Sequence, residues 1–148
     1  MDEQGMDTRR LVLHFALKLE AATTLALRAL LRLKQENDSL GHSSKALGFN
    51  QRMLLLMDMD ILDVKHESNL RWLMEIRNQM VHNVKATSFE ACLAFTSFKA
   101  HGILKRFPQA KTYPREVQCA LAFAKLANET NQAIRDLNFA TRIRLQGE

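Results

Sequence analysis

Only two prolines, Pro108 and Pro114, and five glycines interrupt 148 residues, so the chain offers helices few places to stop. Apolar residues recur at spacings of three and four, and no segment shows the strict alternation of a half-buried strand. The pattern predicts an all-α, up-and-down bundle of four to five helices forming a single domain over residues 1–148. With 47% hydrophobic residues the chain can bury a sizeable core.

The first helix is expected over about Asp7 to Asn37. It carries Leu11, Phe15, Ala22, Ala26, Ala29 and Leu33 on one face and Leu13, Leu17, Leu27 and Leu31 on another. Two apolar faces imply burial between neighbouring helices or between subunits. Ser39 to Asn50 reads as the longest loop, with Asn50 capping a short helix to Leu62. A further helix spans about Glu67 to Lys85. "TSFE", Thr87 to Glu90, fits a capping box opening a helix that runs through Phe107, and Pro114 stands near the start of the last helix. That last helix shows Ala120, Phe123, Ala127, Thr130, Ile134, Leu137 and Thr141, a heptad-like seam.

Several function classes are disfavoured. The start "MDEQGMDTRR" lacks the basic and apolar regions of a secretory signal, and no apolar run approaches membrane-spanning length. Cys92 and Cys119 stand apart from each other and from any histidine at ligand spacing, as expected of reduced, core-filling thiols in a cytoplasmic protein. Asp58, Asp60 and Asp63 do not follow a calcium-loop pattern and read as a solvated face or a helix start. No zinc motif, phosphate-binding glycine loop or serine nucleophile elbow is present, so neither a metal nor another cofactor is expected.

The net charge of +5 is unevenly placed. Residues 71 to 115 contain eight Lys or Arg against the two acids Glu75 and Glu90. Such a window suits a polyanion such as RNA, although solvated helix faces produce the same composition. At its centre lies "LMEIRNQMVHN", Leu73 to Asn83. At about 100° per residue, Leu70, Leu73, Ile76, Met80, Val81 and Val84 share one arc, and Arg77 falls inside it. A guanidinium on an apolar face is costly unless it is paired or opens onto a cleft. Two readings stand open: an ion pair with an acid such as Asp60 or Asp63, or a functional site.

The string Arg77, Asn78, three spacers, His82, together with "ALGFNQRMLLLMDMDIL" before it, resembles the HEPN superfamily of small helical bundles, in the branch of the mannitol operon repressor proteins. The resemblance spans roughly Lys45 to Phe107. It implies metal-independent RNA cleavage in catalytic members, with a site shared across a homodimer. The chemistry suits the residue types. Cleavage by the neighbouring 2′-OH needs a proton acceptor, a proton donor and a cation for the pentacoordinate phosphate. Histidine exchanges protons, arginine clamps phosphate, and an amide orients either. Arg77, His82 and Asn78 are therefore the candidate catalytic residues, and Arg71, Lys85 and Asn83 the candidate substrate-binding ones. In a regular helix Arg77 and His82 point about 140° apart, so one helix does not bring them together unless it ends near His82. The resemblance leaves two functions: an endoribonuclease acting as a toxin or defence component, or a non-catalytic regulator resembling the mannitol operon repressors. The expected partners are RNA, a second copy of the chain, and an antitoxin or regulatory protein.

Overall fold

The computed structural model describes residues 3–147, with side chains from Asp7 onward. Six helices follow in order: α1 (Glu3–Leu30), α2 (Phe49–Asp58), α3 (Val64–His82), α4 (Phe89–Leu93), α5 (Lys99–Arg106) and α6 (Arg115–Gln146). No strand occurs among the described residues. The fold is an all-helical bundle.

Its framework is a triplet of long helices. Arg9 near the start of α1 reaches the carbonyls of Met80 and Asn83 at the end of α3, while Leu19 further along shares a small apolar cavity with Leu73. α1 and α3 are therefore antiparallel. Phe15 meets Phe123 edge-on at 5.5 Å, and the later residues Ala22 and Leu25 line a groove with Asn131 to Arg142. The meeting points advance together, so α1 and α6 run parallel, with α3 opposed to both. In chain order the three long helices thus alternate in direction, with α2 between the first two and the short α4 and α5 between α3 and α6.

The core sits between these three helices. Phe123, Leu126, Leu27, Leu70, Ile76 and Met80 are fully buried, and Phe89 tilts against Phe123 at 5.3 Å. Burying one such side chain stabilises by about 1.5–3 kcal/mol. The seam expected on the last helix is its buried face: Phe123, Ala127, Thr130, Ile134 and Thr141 are all buried. Of the first face expected on α1, Ala22 and Ala26 are buried and Phe15 and Ala29 half-buried while Leu11 is exposed; of the second, Leu13, Leu17 and, just past the helix end, Leu31 are exposed and only Leu27 is buried.

Several boundaries differ from expectation. α2 is capped by Gly48 rather than Asn50, which lies inside the helix, and it ends at Asp58 instead of Leu62, because Asp60 takes a left-handed φ of 54°. α1 stops at Leu30, where Arg32 takes a left-handed φ of 51°. The single helix expected from Thr87 to Phe107 is two. Thr96 Oγ1 donates to the Leu93 carbonyl and accepts from the Lys99 amide, while Lys99 has a φ of 59°, so the chain turns between α4 and α5. The cap of α4 is Ser88, not Thr87: its Oγ accepts the Ala91 amide. The carboxylate comes from Glu116 of α6, whose two oxygens accept the Phe89 and Glu90 amides at 2.6 and 2.9 Å. Asp63 caps α3 by accepting the His66 amide, which gives one member of the aspartate run a structural role.

Candidate functional site

α3 presents the motif in its last two turns. Leu73, Ile76 and Met80 are buried, Arg77 is half-buried between them, and Val81 and His82 are exposed. The guanidinium carbon of Arg77 lies 4.6 Å from the centre of the Phe49 ring, at the edge of a cavity walled by Val12, Phe15, Leu19 and Phe123. A cation over an aromatic face is favourable by about 0.5–2 kcal/mol. The ion pair with Asp60 or Asp63 is not formed: no carboxylate among the described residues lies within ion-pair distance of Arg77. Its one side-chain hydrogen bond among the described residues is a long one, from Nη1 to Asn78 Oδ1 at 3.3 Å. Most of its five N–H donors therefore have no protein acceptor among the described residues.

His82 closes α3, and its imidazole makes no hydrogen bond among the described residues. It does not meet Arg77 within the chain. Helical geometry places them about 7.5 Å apart along the axis as well as on different faces. Asn83 caps α3 and is fully engaged: Nδ2 donates to Gln79 Oε1, Oδ1 accepts the Lys85 amide, and its carbonyl accepts Arg9. Arg71 is paired with Glu67 at 2.9 Å, one turn earlier. The Lys85 side chain is exposed beyond the helix end. Of the six candidates, Arg77, Asn78, His82 and Lys85 thus keep polar atoms available, whereas Arg71 and Asn83 already have partners.

Three other arginines carry structural weight that sequence reasoning missed. Arg9 donates to the carbonyls of Met80, Asn83 and Ala86, placing a positive charge where α3 ends in unpaired acceptors. Arg52 is only 4% exposed. It donates to the carbonyls of Leu47, Leu40 and Gly41 and to Thr24 Oγ1, tying the long loop before α2 onto α1. Arg106 stacks 3.4 Å over Trp72, whose other face lies against Phe98 at 4.1 Å, and donates to Asn69 Oδ1 and Ser68 Oγ. Burial lowers the Arg106 pKa from its ordinary value. A signal for Arg52 was present. With Phe49, Met53, Leu56 and Met57 it lies on the apolar arc of α2, the same misfit that draws attention to Arg77. The two differ in outcome, since Arg52 has spent its donors on carbonyls and Arg77 has not.

The remaining chemistry of the chain is quiet. Both thiols are buried and unpaired; burial pushes Cys92 up to about 12 and Cys119 up to about 11, out of the range of reactive cysteines. No group of three or more His, Cys, Asp or Glu among the described residues is arranged to hold a metal ion. No helix of the described residues is long and apolar enough to cross a membrane. Compared with known protein families, curated proteins and solved structures, the chain matches none.

Proposed function

We propose that this protein is a HEPN-like, metal-independent endoribonuclease, acting as a toxin or defence component, whose site is completed when two copies bring Arg77 of one subunit to His82 of the other. The observation that carries this reading is Arg77 itself: a half-buried guanidinium on an apolar helix face with no carboxylate partner and most of its donors unspent. Such a group suits a phosphate, which would supply the missing charge and acceptors. Arg77 would hold the scissile phosphate and stabilise its added charge. His82 would move the 2′-OH proton, and Asn78 would hold the guanidinium in place. The exposed Leu13 and Leu17 on α1 are suitable material for an interface between copies.

The separation of Arg77 and His82 within one chain favours a second reading, in which the same surface belongs to a non-catalytic HEPN-like regulator. One set of measurements decides between them. Wild-type protein is incubated with a panel of single-stranded and structured RNAs with chelator present, and product ends are analysed. The nuclease leaves 2′,3′-cyclic phosphates, cuts no 2′-O-methyl RNA, and loses about 100-fold to 10,000-fold in rate in His82→Ala with binding retained. Arg77→Ala loses rate and affinity together. Light scattering at micromolar concentration gives a dimer. A wild-type protein that is monomeric, or that cuts nothing on the panel, refutes the nuclease and leaves the regulator.

A further inference from the structure

We infer that the groove between α1 and the C-terminal half of α6 is a docking channel for single-stranded RNA; the inference rests on RNA being this protein's ligand, as proposed above. The groove is open and encloses about 850 Å³. On α6, Asn131, Arg135, Asn138 and Arg142 follow at spacings of four, three and four, which puts them on one face beside the buried seam. Lys18 faces them from α1, and Phe139, 67% exposed, stands at the rim. The stripe from Asn131 to Arg142 is about 16 Å long.

Charge narrows the occupant. Three cations line the groove against one carboxylate, Asp136, which already accepts a hydrogen bond from Gln132 at 2.8 Å. The Arg135 side chain has neither an ion pair nor a hydrogen bond among the described residues. Arg142 spends only Nε, on Asn138 Oδ1 at 3.2 Å, and keeps both terminal nitrogens. A second copy of the chain docked symmetrically here would set the same cations against each other, because a two-fold interface pairs a patch with itself. An anionic chain resolves that field. The neighbouring groups favour a nucleic acid over an acidic peptide, since the exposed Phe139 ring is a stacking platform and the amide groups beside it can meet base edges.

The position complements the motif. α1 passes the end of α3 at Arg9, and its groove residues Lys18 to Leu25 lie nine to sixteen residues further on, about 14–24 Å away. RNA seated in the groove would be held by its flank while another nucleotide reached His82. This surface lies outside the basic window of residues 71–115, in which Arg71, Arg106 and Lys99 are already engaged with Glu67, Trp72 and the Ala94 carbonyl.

The test is fluorescence anisotropy of a labelled mixed-sequence 12-nucleotide RNA across a salt series, with the full chain and three variants. The double charge reversal Arg135→Glu/Arg142→Glu should weaken binding at least tenfold. It should also flatten the slope of log affinity against log salt by about 1.4, since each phosphate contact on a single strand contributes about 0.7. Phe139→Ala should weaken binding about tenfold with an unchanged slope. His82→Ala should bind like wild type. These groove positions are exposed, and unchanged circular dichroism and melting temperature verify the fold. Unaltered affinity and slope in the double variant overturn the inference, whether or not the protein cleaves RNA. A shift of that variant's oligomeric state in light scattering, with RNA binding intact, assigns the groove to a second copy instead. Preference for an acidic peptide over the RNA assigns it to a protein. Loss of cleavage with groove-dependent binding intact refutes the nuclease alone, and a wild type that binds no RNA overturns both.

Discussion

Arg52 and Arg77 share a sequence signature and differ in what surrounds them, which makes the pair informative about single residues. Removing the Arg52 side chain strands three carbonyls and a threonine hydroxyl against α1 and α2. Arg52→Ala should therefore cost about 3 kcal/mol in urea denaturation, and Arg52→Lys should recover less than half, because one ammonium cannot reproduce the planar fork. Arg77→Ala should cost about 1 kcal/mol in the same assay, having only a ring contact and one long hydrogen bond to lose. The misfit of Arg77 was legible in the sequence; the Phe49 ring beneath it was not, because that contact joins helices brought together only by the tertiary fold. The cysteines give a residue-scale pH prediction. In the folded state their ionisation is delayed from an ordinary 9.0 to about 12 and about 11. The unfolded chain loses these protons first as pH rises, so stability is intact below about pH 9 and declines above it, by up to roughly 1.4 kcal/mol per pH unit for each thiol. Melting temperatures measured between pH 7 and pH 10.5 should fall at the alkaline end. Cys92→Ala/Cys119→Ala should flatten that fall.

At the scale of elements, the existence of the helices could be read from periodicity, but their ends and caps could not. The capping signature at residues 87–90 was displaced by one position, since Thr87 and Ser88 are both competent caps and local pattern does not choose between them. Glu116, which does complete the α4 terminus, lies 26 residues from Glu90 and is invisible to any local rule. The break between α4 and α5 likewise depends on the Thr96 hydroxyl acting both as donor and as acceptor. α5 is then clamped to α3 by the layered side chains of Phe98, Trp72 and Arg106, and Gly102 permits the approach: a Cβ there would stand 3.0 Å from Phe98 Cβ and 3.8 Å from Trp72 Cη2. Trp72 is the sole tryptophan, so this joint can be watched directly. Gly102→Ala and Arg106→Ala should each change the emission of Trp72 and lower stability by about 1–2 kcal/mol. Emission identical to wild type in both would mean that the stack is not the joint.

On the scale of the whole molecule, the all-helical class follows from the scarcity of breakers, while the relative direction of the helices does not, since amphipathic faces carry no sign. The parallel association of α1 with α6 has a consequence in time. Its partners are separated by about a hundred residues, so the contact closes a long loop and forms only after most of the chain is available. During synthesis α1 would leave the ribosome with Val12, Leu19, Ala26 and Leu27 unshielded and would wait for α6 while the intervening helices are made. A fragment of residues 1–114 should accordingly show helical circular dichroism, bind the dye ANS and melt without a cooperative transition, and a peptide of residues 115–147 added in trans should restore the transition. A fragment that melts cooperatively by itself would show that α1 finds a sufficient shelter before α6 arrives.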